Sequence, residues 1–450
     1  MRGRATFAAA AALLAAGCHL VLDPARHERG DGGPSTEPDA WRPDAGPTCE
    51  EDASCGPASI ARCVAGRCEL CLPAVRDATF ALDRLSGARD LALVAAVADG
   101  GPRARIVLTG TSAATGASVP YAAEVRLDDL GLEGDGFGLP DAVTWAGLAP
   151  RGLTVATGAA ADGWDLGALT DDGDEVLWVD PPDGALAPQV ARAALEAGET
   201  VTGPLRAVGG AGARSFVWPL ARVEGTLLAA AGPPDWTLAR SATVADGPDE
   251  GVLSLFGSRG AWVAAAVGET SATRLELWRP ADGARARVEV LEPQAFGWLG
   301  DERYALLSAA GDLIELDCGA ARCEAAPPRR IDGWRGGPFG AVSGSADGAL
   351  VVGTAPVVEA GARRAVDLVF LGEALEPFDA GALGRAAVDG DVVRVAFGDP
   401  VDAPVERRGF DADRLEVDGR PVLVAAWIER ATAPREAWAV RVVVVDGCGE

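Results

Sequence analysis

Short apolar segments that end at a tight turn recur along most of this 450-residue chain. The segment at 176–179 is followed by Asp-Pro-Pro-Asp-Gly, the segment at 275–278 by Arg-Pro-Ala-Asp-Gly, and the segment at 313–316 by Asp-Cys-Gly. Pro, Gly and Asp end strands and favour turns, and runs this short suit strands better than helices. The pattern therefore predicts an all-β fold. One helical segment is expected at 189–197.

The strand-and-turn units recur at intervals of about 40 to 65 residues, which is typical of a repeated supersecondary unit. They centre near Arg126, Trp178, Trp218, Trp278, Leu316, Leu371 and Trp438. Asp-Gly turns stand directly before several of the apolar strands, as at Asp347-Gly348 and Asp389-Gly390. Such turns connect the strands of hairpins, because both residues tolerate a left-handed backbone.

These turns resemble the S-x-D-G-x-x-L pattern of TolB-like, PD40-type propeller repeats, with Ser345-Ala346-Asp347-Gly348 as one example. The resemblance covers about ten residues in each unit. It implies a β-propeller over residues 73–450. Seven blades are favoured, and six are almost as compatible with the spacing. A pair of β-sandwiches is the competing all-β fold.

The first 18 residues predict export. A short positive segment at 1–4 precedes an apolar run at 5–16, and Leu14-Ala15-Ala16-Gly17 leads directly into Cys18. This layout resembles the lipobox of bacterial lipoproteins, in which cleavage after residue 17 leaves Cys18 for acylation. Because His19 rather than an acidic residue follows, the expected location is the outer membrane or cell surface. Ordinary secretion is the alternative.

Two short regions are expected between the signal peptide and the propeller. Residues 18–48 are rich in Pro, Asp, Gly and Arg, so we expect a disordered tether behind the lipidated cysteine. Residues 49–72 have the spacing C-x5-C-x7-C-x4-C-x2-C and predict a small disulfide-rich module. Zinc is the rival interpretation, through Cys68 and Cys71, but no histidine lies nearby.

The cysteine count is compatible with four disulfides. Nine cysteines less the lipidated Cys18 leave eight. These are Cys49, Cys55, Cys63, Cys68, Cys71, Cys318, Cys323 and Cys448. One connectivity among many is Cys49–Cys63, Cys55–Cys68, Cys71–Cys448 and Cys318–Cys323. The last pair has the spacing of a hairpin loop, and Cys71–Cys448 would join the two ends of a closed ring.

Several kinds of chemistry are disfavoured by the sequence. A net charge of −26 argues against nucleic acid as a partner. Both histidines, His19 and His27, lie in the tether, so the folded region has no imidazole for a Ser-His or Cys-His pair or for zinc. No cofactor and no metal site are predicted. The acidic run at 171–175 is interpreted as an exposed turn rather than a calcium loop.

The tryptophans divide into two groups. Trp178, Trp218 and Trp278 stand at matching strand ends, which favours packing between blades. Another five lie near Gly, Pro or Asp in expected loops, where exposed indoles could stack on sugars or anchor a peptide. These candidate binding residues are Trp145, Trp164, Trp236, Trp298 and Trp334.

Three functional hypotheses remain open from the sequence. The leading one is a non-enzymatic, lipid-anchored propeller that binds a protein or glycan partner at the cell envelope. The second is a propeller hydrolase or lyase that uses acidic residues in a central funnel, where converging carboxyls of raised pKa would be expected. The third is a structural envelope protein with no small ligand.

Overall fold

The structure is a computed structural model, and 31 strands are assigned among the residues that it describes. Those residues are 61–64, 67–70, 75–98, 100–114, 116, 118–133, 151–157, 164–169, 176–179, 189–191, 206–208, 215–219, 226–231, 238–247, 249–258, 260–300, 302–319, 322–335, 340–345, 348–353, 361–371, 386–389, 391–402, 405–418, 420–431 and 437–446. The predicted signal peptide, Cys18 and the tether lie outside these ranges.

Strands account for all the regular secondary structure in the described ranges, which confirms the all-β prediction. They form one two-stranded hairpin and seven sheets of three to five strands, with antiparallel neighbours. No helix in this part of the chain is long and apolar enough to cross a membrane. The hairpin consists of β1 (Ala61–Val64) and β2 (Arg67–Leu70).

Leaving β3 aside, the seven sheets are numbered in chain order by their first strands. Sheet 1 holds β4 (Leu85–Ala98), β5 (Gly101–Ser112) and β6 (Ser118–Arg126). Sheet 2 holds β7 (Arg151–Thr157), β8 (Trp164–Leu169), β9 (Val176–Val179) and β10 (Gln189–Ala191). Sheet 3 holds β11 (Arg206–Val208), β12 (Ser215–Pro219), β13 (Thr226–Ala231) and β14 (Leu238–Thr243). Sheet 4 holds β15 (Gly251–Phe256), β16 (Val263–Gly268), β17 (Arg274–Arg279) and β18 (Ala284–Glu289).

The remaining three sheets are also antiparallel and have four or five strands each. Sheet 5 holds β19 (Pro293–Gly300), β20 (Arg303–Ser308), β21 (Asp312–Cys318), β22 (Cys323–Ala325) and β23 (Arg329–Arg330). Sheet 6 holds β24 (Gly340–Ser345), β25 (Gly348–Gly353), β26 (Arg364–Leu371), β27 (Ala386–Asp389) and β28 (Val392–Phe397). Sheet 7 holds β29 (Val405–Val417), β30 (Arg420–Ala431), β31 (Ala437–Asp446) and the much earlier β3 (Val75–Ala81).

Sheet 7 combines strands from both ends of the described region. Strand β3 pairs antiparallel with β31 along its whole length, from Val75 opposite Val445 to Ala81 opposite Ala439. The strand order β29-β30-β31-β3 puts β3 at the edge of the sheet. The last sheet is therefore complete only when a strand that precedes sheet 1 joins it.

Again leaving β3 aside, the first strand of each sheet contacts the first strand of the next. Contacts join β4 to β7, β7 to β11, β15 to β19, β19 to β24, β24 to β29, and β29 back to β4. Strands β11 and β15 are joined by a hydrogen bond from Arg206 Nε to the carbonyl oxygen of Leu255, at 2.9 Å. We call these seven strands (β4, β7, β11, β15, β19, β24 and β29) the inner strands.

Apolar clusters of described residues lie at five boundaries between consecutive sheets. Separate clusters join sheets 3 and 4, sheets 4 and 5, sheets 5 and 6, sheets 6 and 7, and sheets 7 and 1. Trp278 is buried in the cluster between sheets 3 and 4, as the sequence predicted. The side chains of Trp178 and Trp218 lie outside the described set, so their packing remains a prediction.

Two local predictions have different outcomes. The helix expected at 189–197 is wrong where the structure describes it, because Gln189–Ala191 is strand β10 and pairs with β9. Pairing with a neighbouring strand outweighs weak helical preference over so short a segment. The hairpin disulfide is confirmed: Cys318 and Cys323 face each other across β21 and β22 and are bonded.

Candidate functional site on the inner strand of sheet 7

Two carboxylates on β29 bridge the first and last sheets. Asp411 and Asp413 are two positions apart, so their side chains leave the strand on the same side. Asp411 Oδ2 accepts a hydrogen bond from the backbone N–H of Leu93 at 2.8 Å, and Asp413 Oδ2 accepts one from Ala95 at 2.8 Å. Both amides belong to β4, so the two acids connect neighbouring inner strands.

The second oxygen of each acid is also engaged. Asp411 Oδ1 accepts the amide of Ala412 at 2.9 Å, and Asp413 Oδ1 accepts the amide of Arg414 at 2.8 Å. Bonds from backbone N–H groups to a charged carboxylate are stronger than neutral ones. Asp413 is buried and Asp411 is half-buried. Each carboxylate therefore holds two amides, one on its own strand and one on β4.

Burial raises the pKa of Asp411 from 3.8 to about 7. The charge of Asp413 raises this pKa further, while the amides of Leu93 and Ala412 and the guanidinium of Arg206 lower it. Arg206 lies on β11, another inner strand, so its positive charge acts on a carboxyl group of β29. A carboxyl group that titrates near neutral pH has the pKa that proton transfer requires.

In the described part of the chain no three His, Cys, Asp or Glu side chains converge as metal ligands would. The acidic run at 171–175, interpreted from the sequence as an exposed turn, lies outside the described residues.

Trp298 lies within strand β19, opposite Tyr304 of β20, so its expected loop position is wrong. Its indole is half-buried and packs against the cluster between sheets 4 and 5. A Cβ atom at Gly260 would lie 2.7 Å from Trp298 Cδ1 and 2.2 Å from the Tyr304 hydroxyl. Glycine at 260 therefore makes room for this aromatic pair, and Trp298 contributes to packing.

Trp334 is half-buried and packs against the cluster between sheets 5 and 6. Its ring lies against Gly311 and Gly353, where an added Cβ would come within 2.7 and 2.2 Å of it. The indole Nε1 is buried and has no hydrogen-bond partner among the described residues. Trp334 thus fills space beside two glycines and keeps only part of its surface exposed.

The other candidate residues are only partly described. Trp164 is the first residue of β8 rather than part of a loop. Cys63 stands directly opposite Cys68 in the backbone register of β1 and β2. The remainder lie outside the described ranges: Cys18, Cys49, Cys55, Cys71, Trp145, Trp236 and Cys448.

The Asp411–Asp413 pair was not singled out from the sequence. The available signal was two acids at alternate positions of Phe-Asp-Ala-Asp-Arg, inside a segment of strand length. A solvent-facing strand gives the same alternation, so the sequence alone does not separate the two cases. What distinguishes them is the neighbouring strand, which lies more than 300 positions away.

Comparisons with known proteins provide no family. No family model and no curated protein matches the chain. Solved structures with similarity include a neuraminidase-like protein of A/flat-faced bat/Peru/033/2010, at 11% identity and a TM-score of 0.37, covering 84% of this chain and 95% of the other. The fucose-specific lectin from Aleuria aurantia has 9% identity and a TM-score of 0.35, over 83% and 99%. A putative 6-phosphogluconolactonase from Bacteroides fragilis has 12% identity and a TM-score of 0.43, over 73% and 91%. Similarities at this level carry no argument about fold or function.

Proposed function

We propose that residues 73–450 form a seven-bladed β-propeller. Three observations support this architecture. There are seven antiparallel sheets, the inner strands contact one another from β4 to β29 and back to β4, and apolar clusters lie at five of the boundaries between consecutive sheets. The β3–β31 pairing supplies the closure, because β3, the first strand of residues 73–450, joins the last sheet. Of the two blade counts compatible with the sequence, seven is the one we adopt.

The function we propose is binding without catalysis: an exported, lipid-anchored propeller that holds a protein or glycan partner at the outer membrane or cell surface. The observation that carries the non-catalytic assignment is the engagement of Asp411 and Asp413. Both oxygens of each carboxylate are hydrogen-bonded to backbone amides. Acids held in this way stabilise adjoining strands, whereas an acid catalyst needs an oxygen directed at substrate.

The binding surface we propose centres on Trp145, Trp164 and Trp236. Trp298 and Trp334 pack against apolar clusters and would contribute only their exposed edges. Stacking on an indole suits both sugar rings and apolar peptide side chains. The partner class therefore remains a protein or a glycan, and the experiment below distinguishes the two.

A binding screen tests this function. The full chain is applied to a glycan array and, separately, to intact cells of the native host followed by cross-linking. We expect Trp145→Ala and Trp236→Ala to weaken the interaction at least about tenfold, as central aromatic anchors do. Leu291→Ala is the matched control, because Leu291 is an exposed apolar side chain outside this set. Equal binding by all variants would overturn the assignment of the surface.

A hydrolase remains the second candidate, and the pKa of Asp411 near 7 is the observation that favours it. The test is turnover of a panel of glycosides and esters by the full chain and by Asp411→Asn. A bell-shaped rate profile with one limb near pH 7, abolished in the variant, would replace the binding proposal with an enzymatic one. No turnover in either protein supports binding.

The anchor is tested by the intact mass of membrane-extracted protein before and after reduction. A diacyl or triacyl mass on Cys18 and a gain of eight protons on reduction support lipidation and four disulfides. Cys18→Ser should release the protein from the membrane fraction. An unlipidated native mass would move the protein to the secreted class.

A further inference from the structure

Arg407 is a buried arginine at the boundary between sheets 6 and 7. It lies on β29 directly opposite Glu429 of β30, and only 5% of it is exposed. Its guanidinium carbon lies 5.1 Å from the ring centroid of Trp427. Trp427 belongs to the apolar cluster that joins sheets 6 and 7, so Arg407 is close to the core rather than to solvent.

The guanidinium of Arg407 has no hydrogen-bond acceptor among the described residues, and its three nitrogens are all buried. Glu429, its cross-strand neighbour, is already engaged on both oxygens. Oε1 accepts Arg364 Nε at 2.8 Å and Trp427 Nε1 at 2.9 Å, and Oε2 accepts Arg364 Nη2 at 2.9 Å. Arg441 Nη2 adds an ion pair to Oε2 at 3.5 Å. The nearest acid is thus shared among other donors.

A second acid near Arg407 is also committed elsewhere. Asp367 influences the pKa of Arg407, but its oxygens accept both Arg394 Nε at 2.8 Å and Arg394 Nη2 at 3.1 Å. Asp367 is fully buried, so this pair is a closed, neutral unit. Neither oxygen of Asp367 is hydrogen-bonded to Arg407.

The charges around Arg407 do not balance. The arginines are Arg364, Arg407 and Arg441, and the acids are Glu429 and Asp77, which is paired with Arg441. Among the residues that the structure describes here, three positive charges face two negative ones. The excess positive charge is that of Arg407, whose guanidinium has no hydrogen-bond acceptor among those residues. Uncompensated burial of a charge is costly, so a compensating group is expected.

Arg407 still carries its charge at neutral pH. Burial lowers its pKa to about 10, and the charges of Arg364 and Arg441 act in the same direction. A water molecule would accept hydrogen bonds from the guanidinium but would leave the positive charge uncompensated. A small monovalent anion would do both, because it accepts several N–H donors and adds one negative charge.

We propose that Arg407, above the ring of Trp427, forms a buried binding site for a small inorganic anion of the halide class, with chloride as the natural occupant. The site lies between sheet 6 and sheet 7, which is the sheet that contains the β3–β31 pairing. Occupancy therefore stabilises sheet 7 against its neighbour, and the protein becomes sensitive to the halide concentration of its surroundings.

The first measurement is thermal unfolding of the full chain in sodium gluconate and in sodium bromide at equal ionic strength. We expect bromide to raise Tm by about 2 °C, with saturation, since a ligand that binds only the folded state stabilises it by mass action. Arg407→Met should lose this response. Arg408→Met is the matched control: Arg408 is the next residue, is exposed and binds Glu406 instead.

The second measurement locates the ion directly. Crystals of the protein grown in bromide should show an anomalous peak at hydrogen-bond distance from the Arg407 guanidinium. This peak supports the proposal even if Arg407→Met does not fold. A peak without anomalous signal at that position is water and overturns it. A bromide response that Arg407→Met retains in full would also overturn it, since the stabilisation would then be non-specific.

Discussion

The carboxylate of Asp411 accepts a hydrogen bond from the backbone amide of Leu93 at 2.8 Å, although 318 positions separate the two residues in the sequence. Asp413 repeats the bond with Ala95 two positions along both strands. These bonds join the inner strands of the last and first sheets, whereas β3 and β31 join the same two regions at the edge of sheet 7. The two ends of the folded region are thus connected at two separate places.

Asp411 should make the protein more stable as pH falls from 7 to about 4. Its pKa in the folded state, about 7, exceeds its usual 3.8, so the folded state holds the proton more tightly. The stabilisation that protonated Asp411 contributes to the folded state is complete below about pH 4 and is lost as pH rises through 7. The whole change amounts to at most about 4 kcal/mol in the free energy of unfolding.

The comparison is guanidinium unfolding of wild type and Asp411→Asn at pH 5 and pH 7.5. Asn keeps an oxygen for the amide of Leu93 but has no charge to bury. The variant should therefore gain stability relative to wild type as pH rises. Glu416→Gln, an exposed change on the same strand, should show no such trend. A constant difference between Asp411→Asn and wild type would contradict the pKa of Asp411.

Removal of strand β3 should destabilise the folded region strongly. Truncation of residues 1–81 deletes the edge strand of sheet 7 and leaves the buried Arg441 without Asp77. Loss of the sole partner of a buried charge costs about 3 kcal/mol or more. Arg441 keeps its ion pair with Glu429 at 3.5 Å, so its part of the cost is smaller, and loss of the β3–β31 pairing adds to it. Truncation of residues 1–72 keeps β3 and is the control. Both truncations are compared with the parent chain in reductant, so that loss of the predicted Cys71–Cys448 bond does not contribute, and the control should then unfold like the parent chain. Equal stability of both truncations would show that β3 is not needed to complete sheet 7.

Arg274 should be essential to the packing of sheet 4. It is buried, and it binds Glu276 at 2.9 Å and both oxygens of Glu250. Arg274→Met removes the guanidinium that joins these acids, although Glu276 keeps its bond to Arg287 at 2.6 Å. We expect lower stability at pH 7, by about 1–3 kcal/mol, as for other substitutions that disrupt a buried network. Arg285→Met, which removes an exposed side chain bonded to the carbonyl of Thr243, should change stability by less than about 1 kcal/mol.

The cost of Arg274→Met should also depend on pH. The hydrogen bond from Arg274 lowers the pKa of Glu250 from 4.5 to about 2. The stabilisation is therefore present above pH 4.5 and is lost as pH falls through 2. Unfolding of both proteins between pH 2 and pH 6 should show the deficit of the variant shrinking in acid. A deficit that grows in acid would contradict the ion pair.

The Cys318–Cys323 disulfide should add about 2 kcal/mol to the free energy of unfolding, as expected for closure of a six-residue loop. A double variant, Cys318→Ala with Cys323→Ala, should unfold at a lower temperature than the oxidised wild type. Because other disulfides are predicted, the informative comparison is the effect of reductant on each protein. Reduction should lower Tm less in the double variant, and an equal decrease in both would contradict the expected contribution.

Much of the fold was predictable because it depends on local features. Apolar runs that end at Pro, Asp and Gly gave the strands around 176–179, 275–278 and 313–316, all of which the structure contains. The Cys318–Cys323 bond was also predictable, since both cysteines belong to one hairpin. The helix predicted at 189–197 failed for a related reason: a short segment takes its conformation from the strand that it pairs with.

The candidate site was much less predictable. Trp298 was expected in a loop because glycine stands on one side of it and Leu299-Gly300 on the other, but it lies inside β19. In the sequence, Asp411 cannot be distinguished from an acid on the exposed face of a strand, because its partner Leu93 lies on the distant strand β4. Arg407 was indistinguishable from Arg408 in the sequence, whereas in the structure one is buried and the other exposed.

By itself the sequence determined the all-β class, the positions of many turns and the hairpin disulfide, because each depends on residues within a few positions of one another. The export signal and lipidation at Cys18 are likewise local patterns and remain predictions. Tertiary structure alone decided the order of the sheets, the pairing of β3 with β31, the bonds from Asp411 and Asp413 to β4, and the burial of Arg407. All of these depend on contacts between distant segments, and the free energy of such contacts comes from packing that no local pattern encodes.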